Sequence, residues 1–283
     1  MIKYVMIIGY GIMGQGIALS FVRGEHRVTV LSRDPSGIER IPNGIKMVTN
    51  LPDEPPDLII EAVPENLELK ISIFSRLERA YGGEPILATN TSSLSLEDLA
   101  NNLNHPDRFI GIHYFHPAEM FPSVEVIPVD QTNHGIVKNV IEALKRNGQA
   151  TILVNRPIPG FLINRLQHAV LHEAFSMIEQ GVVTAEDIDR ACKTMFGPRM
   201  CVTGLIEQKD ISGLATTAAT QRNLVPELNH SGVPTKKIQD MVARGEEGVK
   251  SGKGFYDWSG RDVEDYKRRA MEKISRILKI LSE

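Results

Sequence analysis

Gly9-Tyr10-Gly11-Ile12-Met13-Gly14 follows directly on the apolar run Val5-Met6-Ile7-Ile8 and opens a helical stretch from Met13 to Arg23. A G-x-G-x-x-G turn in that setting is the fingerprint of a dinucleotide-binding strand–turn–helix unit. Gly9 permits the tight turn, Gly11 admits a pyrophosphate, and Gly14 lets helix and strand pack closely. The helix amino terminus then offers its N–H groups and the positive end of its dipole to the phosphates. A bare glycine-rich turn is the competing reading, but the strand before and the helix after favour the cofactor site.

The rest of the first half continues the alternation. Strand-like runs occur at Val28–Leu31, Asp57–Val63, Ile86–Thr89, Phe109–Ile112, Val124–Ile127 and Thr151–Val154, with a helical stretch at Glu68–Ala80. Such alternation predicts a doubly wound, mainly parallel α/β sheet with helices on both faces. From Phe161 the pattern changes to helical spacing: Phe161, Leu162, Leu166, Ala169, Val170, Ala174, Met177 and Ile178 share a face. Thr184 caps a further helix with Glu186 and Asp187 in its first turn, and a basic helical end follows from Glu264. Pro157-Ile158-Pro159-Gly160 interrupts both patterns. The expected division is an α/β dinucleotide domain over 1–157 and an all-α substrate and dimerisation domain over 158–283.

Composition sets limits on function. The 283 residues suffice for two domains, and a formal net charge of -3 gives no reason to expect nucleic acid or an anionic membrane as partner. Cys192 and Cys201 match no metal-ligand spacing and form no disulfide framework, so no metal is expected. The chain enters its first strand without a basic-plus-apolar leader, and no apolar run is long enough to cross a bilayer. A cytoplasmic location is the default expectation.

The end of the second strand chooses between the two nicotinamide cofactors. An acidic residue there bonds the ribose 2′-OH of NAD, whereas a neutral or basic one accommodates the 2′-phosphate of NADP. Leu31-Ser32-Arg33-Asp34 places Ser32 and Arg33 where the acid is expected. That favours tolerance of NADP, with Asp34 acting as the acid from two positions on as the alternative.

Several motifs, taken in order, carry a family resemblance. Gly9 to Ala18, Glu61 to Leu67, Thr89 to Leu94, Ile112 to Pro117, Pro159 to Arg165, Glu186 to Asp189 and Gly252 to Tyr256 together resemble the 3-hydroxyacyl-CoA dehydrogenases over nearly the whole chain. The resemblance implies a Rossmann domain followed by a helical domain that forms a homodimer, with catalysis in the cleft between them. It implies NAD as cofactor and an acyl-CoA substrate of fatty acid metabolism. His113 corresponds to the family's catalytic base and Glu125 to its carboxylate partner. Ser92 corresponds to the serine that bonds the substrate oxygen and Asn164 to the asparagine near the reacting carbonyl. Glu65 and Lys70 correspond to residues near the cofactor, and Lys250 to one that reaches it from the second domain.

The residues support that chemistry independently. Oxidising an alcohol by hydride transfer requires a base for the hydroxyl proton, and histidine titrates near working pH. His113 follows Phe109–Ile112 and so is expected at the carboxyl end of a strand, where open α/β sheets bind ligands. A buried carboxylate such as Glu125 fixes the imidazole tautomer and stabilises the imidazolium. Ser92 and Asn164 can donate to a developing alkoxide. Two alternatives stand beside these roles: the Thr91–Asp98 stretch also reads as a helix cap built on Ser95 and Asp98, and Asn164 could satisfy backbone groups near the turn.

One departure bears on the substrate. Members of the family usually insert a helical hairpin after the second strand to contact CoA, whereas only 24 residues separate Ser32 from Asp57, including Pro35, Pro42, Pro52, Pro55 and Pro56. His116 also replaces the asparagine usual there. A dehydrogenase of a smaller, non-CoA 3-hydroxy acid is therefore the alternative enzyme. The type that uses a lysine base on the first helix of the second domain is disfavoured, because no lysine lies between Gly160 and Gly181. A non-catalytic dinucleotide-binding sensor is the remaining class, but it has no need to keep Ser92, His113, Glu125 and Asn164 together.

Overall fold

The computed structural model describes residues 1–33, 35 and 41–283. They form two compact units, 1–165 and 166–283. The first is built on one eight-stranded sheet: β1 (Tyr4–Ile8), β2 (Arg27–Leu31), β3 (Ile45–Val48), β4 (Leu58–Glu61), β5 (Ile86–Thr89), β6 (Phe109–His113), β7 (Ser123–Pro128) and β8 (Ala150–Leu153). The strand order is β3-β2-β1-β4-β5-β6-β7-β8. Strands β1 to β6 pair in parallel; β7 runs antiparallel to β6, and β8 is parallel to β7.

Side chains alternate faces along a strand, so both faces of this sheet need apolar cover. Val5, Ile7, Val28, Val30, Ile60, Ile110 and Val126 join one cluster, with Ile17 and Phe21 of α1 (Ile12–Arg23) and Val140 and Leu144 from α4 (His134–Arg146). Met6, Ile8, Ile59, Leu87, Phe109 and Ile127 face the other way, against Phe74 and Leu77 of α2 (Leu67–Tyr81) and Leu96 and Leu99 of α3 (Leu96–Ala100). Asp57 secures the start of β1 by accepting the N–H groups of Lys3 and Tyr4 at 2.7 and 2.8 Å.

Two expectations change. Residues 45–48, absent from the strand-like runs of the sequence, form β3: Ile45 to Val48 pair with Val28 to Leu31 as a short, half-exposed edge strand. Its four residues and flanking Pro42 and Gly44 left no periodicity to detect. The helical face read from Phe161 belongs to α5 (Ile163–Glu179), which starts two residues later. Phe161 instead adopts a left-handed conformation, φ 46°, after Gly160 at φ 76°.

The second unit contains α6 (Ala185–Ala191), α7 (Gly197–Thr203), α8 (Glu207–Ser212), α9 (Leu214–Leu224), α10 (Lys236–Ala243) and α11 (Val263–Leu281), together with most of α5. Thr184 caps α6 as its sequence predicts, accepting the Asp187 N–H at 3.1 Å. The described residues of this unit bury little: Ala174, Ser176, Thr235 and Met241 are the ones withdrawn from solvent. Val202, Ile206, Ile211 and Leu214 stand exposed. Among the described residues no helix is long and apolar enough to cross a membrane.

Candidate active site

The glycine-rich turn has a distinct reason for each glycine. Gly9 sits at φ 97°, and a Cβ there would lie 2.8 Å from the Ala62 carbonyl oxygen. A Cβ on Gly14 would strike the carbonyl oxygen of Gly9, which is what close helix–strand packing means at this position. Gly11 differs, since a Cβ there meets nothing within 4 Å. It is the N-cap of α1, whose first turn has neither an acidic residue nor a capping side chain. Beside it lies a cavity of about 860 Å³ reached by Gly9, Tyr10, Ser32, Arg33, Ala62 and Val63. An uncapped helix amino terminus, an open glycine and a cavity of this size fit a dinucleotide.

At the far side of that cavity, Ser32 continues from β2, and its N–H donates to the Val48 carbonyl at 3.0 Å, so β3 shapes this end too. Arg33 is exposed and lines the cavity. Asp34, the alternative acid, lies outside the described residues. Sequence reading did not single out Arg76, which lines the same cavity with Leu69, Ser72 and Ile73. Those four positions have helical spacing on α2, a signal that becomes meaningful only once α2 is known to border the cofactor turn.

His113 is the last residue of β6 rather than the first beyond it, and the antiparallel register places it directly opposite Glu125. Such cross-strand neighbours share a face. The His113 Nδ1 lies 2.7 Å from Glu125 Oε2, and both side chains are buried. The other carboxylate oxygen, Oε1, accepts the N–H groups of Leu162 and Ile163, each at 2.9 Å. Burial pushes the Glu125 carboxyl up, but the bonds from His113 and these two amides outweigh it and hold the group below the ordinary carboxylate range. Phe115 and Phe161 present edges to the imidazole, with ring centroids 4.5 and 5.4 Å away.

Ser92 lies exposed on the turn after β5, and its hydroxyl bonds no other described residue. The neighbouring helix α3 is capped by Ser95, which accepts the Asp98 N–H at 3.0 Å, so cap and candidate hydroxyl are separate groups. Asn90, unmarked by sequence reading, accepts the Tyr114 N–H at 2.9 Å and so links the Ser92 turn to the end of β6. Asn164 is the second residue of α5, half-buried, and its side chain bonds no backbone group among the described residues. Glu65 bonds the Ser92 turn, and the Lys70 ammonium is buried against Glu61 and Glu65. Lys250, in the second unit, is exposed and pairs with Glu247 at 2.8 Å. Among the described residues no cluster of His, Cys, Asp or Glu is placed to hold a metal ion.

Comparison with known proteins gives two family matches. The NAD-binding domain of 3-hydroxyacyl-CoA dehydrogenase matches residues 43–157, and the C-terminal domain of the same enzyme matches residues 160–258. The mitochondrial hydroxyacyl-coenzyme A dehydrogenase of Mus musculus is 33% identical, over 91% of this chain and 92% of that protein. Two solved structures bracket the family. The 5-formyl-3-hydroxy-2-methylpyridine 4-carboxylic acid 5-dehydrogenase, an NAD+-dependent dismutase, is 25% identical with a TM-score of 0.92, covering 100% of this chain and 99% of that one. The 3-hydroxyacyl-CoA dehydrogenase of Archaeoglobus fulgidus is 31% identical with a TM-score of 0.73, covering 99% of each chain.

Two predictions follow from this geometry. Gly11→Ala should leave the thermal midpoint within about 2 °C and weaken dinucleotide binding at least tenfold by titration calorimetry, because the added methyl meets only cavity; Gly14→Ala should lose stability, because its methyl meets backbone. For Glu125, a folded pKa below the ordinary value of about 4.3 means stability is present above that pH and is lost as pH falls through the folded pKa. Chemical denaturation between pH 6 and pH 3 should therefore show the wild type losing its advantage over Glu125→Gln as pH drops; a constant difference would contradict the assignment.

Proposed function

The chain belongs to the 3-hydroxyacyl-CoA dehydrogenase family, and from that premise we propose that it interconverts a hydroxyl and a carbonyl group by hydride transfer with NAD, using His113 as general base. Membership makes it an NAD-dependent oxidoreductase. The observation that carries the mechanism is the buried contact of 2.7 Å between His113 and Glu125. With Nδ1–H donated to the carboxylate, Nε2 keeps its lone pair for the substrate hydroxyl proton. Glu125 remains ionised and stabilises the imidazolium that forms. NAD, when bound, supplies the hydride acceptor. The Ser92 hydroxyl and the Asn164 amide, both without partners among the described residues, donate to the oxygen as its charge develops.

The substrate reading favoured here is a small hydroxy acid or aldehyde-bearing acid without CoA. It rests on the near-complete superposition with the pyridine-carboxylate dehydrogenase, TM-score 0.92, against 0.73 for the CoA-utilising Archaeoglobus enzyme. It also rests on the stretch after β2, where described residues 41–57 form one short strand and turns rather than a helical hairpin. A 3-hydroxyacyl-CoA substrate is the second reading, supported by the identity of 33% to the mouse hydroxyacyl-coenzyme A dehydrogenase. Arg33 and Arg76, both at the cavity, support tolerance of NADP. The functional division proposed is a dinucleotide domain over 1–157 and a substrate and dimerisation domain over 158–283, a boundary eight residues before that of the two compact units. The exposed apolar side chains of the second unit support a homodimer, since surface of that kind is normally covered by a partner.

His113→Ala is expected to lower turnover by at least a thousandfold while leaving NAD binding within about twofold. Initial rates with acetoacetyl-CoA, free 3-oxo acids and aromatic formyl-carboxylates, each with NADH and NADPH, decide the substrate. Turnover confined to the CoA thioester would overturn the small-acid reading, and unchanged turnover in His113→Ala would overturn the mechanism.

A further inference from the structure

The cavity beside the glycine turn is lined by two guanidiniums and, among the described residues, by no carboxylate. Arg33 reaches it from beyond the end of β2 and Arg76 from the third turn of α2, and both side chains are exposed. Neither forms a hydrogen bond or an ion pair with a described residue. A cleft lined by one sign of charge concentrates ligands of the other sign, so this wall favours an anionic occupant.

Both arginines stand on fixed supports. Leu31 pairs with Val48, and the N–H of Ser32, directly before Arg33, donates to the Val48 carbonyl at 3.0 Å. Helix α2 is capped by Asn66, whose side chain accepts the Leu69 N–H at 2.8 Å, and is anchored by the buried Phe74. Side chains carried on such supports are placed more precisely than those on a free loop.

A dinucleotide meets these residues at its adenosine end. Its pyrophosphate belongs at the α1 amino terminus beside Gly11. The end of the second strand meets the adenosine ribose, where an acid suits a free 2′-OH and a cation suits a 2′-phosphate. Leu51, Leu69 and Ile73 line the same cavity and give the adenine ring an apolar wall. Arg76 shares the helix face of Leu69 and Ile73 and so stands on that wall. Ser72, its neighbour on the face, donates its hydroxyl proton to the Leu69 carbonyl at 2.8 Å, which leaves Arg76 as the phosphate donor there.

We propose that Arg33 and Arg76 form a clamp for the 2′-phosphate of NADP, one guanidinium from the β2 side and one from α2, so that this chain binds NADP at least as tightly as NAD. The clamp rests on the reading of this cavity as the dinucleotide site. It assigns the choice of cofactor to two residues on separate elements and makes Arg76 a specificity determinant. A guanidinium matches a phosphate through paired N–H groups, and the 2′-OH of NAD offers it no comparable charge.

The test uses the full chain and titration calorimetry with NAD, NADP, adenosine 5′-phosphate and the adenosine 2′,5′- and 3′,5′-bisphosphates, the last being the nucleotide part of CoA. The 2′,5′-bisphosphate should bind at least about tenfold tighter than adenosine 5′-phosphate, and tighter than its 3′,5′-isomer. Arg33→Ala and Arg76→Ala should each lower the ratio of NADP to NAD affinity about tenfold, and the double variant should lower it further. Both positions are exposed, so these changes leave the core intact. Arg76→Lys keeps the charge but loses the paired N–H groups, and should recover part of the ratio. Lys138→Ala removes an exposed charge from α4, on the opposite face of the sheet, and should leave the ratio within about twofold. NADP bound about tenfold more weakly than NAD would overturn the clamp, as would a ratio that ignores Arg76→Ala or follows Lys138→Ala equally. Tighter binding of the 3′,5′-bisphosphate would give the arginines to CoA and also sink the proposal. Binding of neither dinucleotide would instead overturn the reading of the cavity as a cofactor site.

Discussion

One reversal of strand direction governs the candidate active site. In a sheet whose strands otherwise run parallel from β3 to β6, β7 turns back along β6 and brings Glu125 directly opposite His113. Cross-strand neighbours on one face are held a few ångströms apart by the ladder itself, so the pair needs no flexible side chain to find its geometry. Glu125 then spends its second oxygen on the amides of Leu162 and Ile163, at the entry to α5. The same carboxylate thus orients the imidazole and anchors the turn that leads to Asn164. A buried carboxylate is tolerable here because both oxygens are filled, and removing either set of donors would leave charge uncompensated, at a cost of about 3–5 kcal/mol.

A second buried carboxylate, Glu61, sits at the carboxyl end of β4, three strands away from Glu125 in the same sheet. Both acids therefore lie along the edge where open α/β sheets place their ligands. Helix α2 serves both sides of this edge. Its positions Leu69, Ser72, Ile73 and Arg76 line the cofactor cavity, while Lys70 and Phe74 turn inward. An amphipathic helix with a lysine on its buried face breaks the usual pattern, and such breaks gather where function demands them.

The legible parts were those with a strong local period. Strands β1, β2, β4 to β8 and helices α1, α2 and α6 follow from alternation, glycine placement and caps, because these depend on neighbours in sequence. Strand β3 did not show itself, since four half-exposed residues at a sheet edge carry no period of their own and are held by pairing with β2. The start of α5 was misplaced for a related reason. Phe161 has the apolar character of a helix face but is bent into a left-handed turn so that the following amides reach Glu125. That bend answers a residue nearly forty positions earlier in the chain.

The amino-acid sequence alone determined the glycine turn, the α/β alternation, the change to helices near Pro157 and the candidate pair His113 and Glu125, because residue type and short spacing carry that information. Only the tertiary structure decided that His113 and Glu125 meet across a ladder, that Arg76 borders the cofactor cavity, that Asn90 ties two strand ends together, and that the Lys70 ammonium is committed to Glu61 and Glu65. Each of these depends on which strands become neighbours in the sheet, and burial with its electrostatic consequences is settled by that order rather than by any local run of residues.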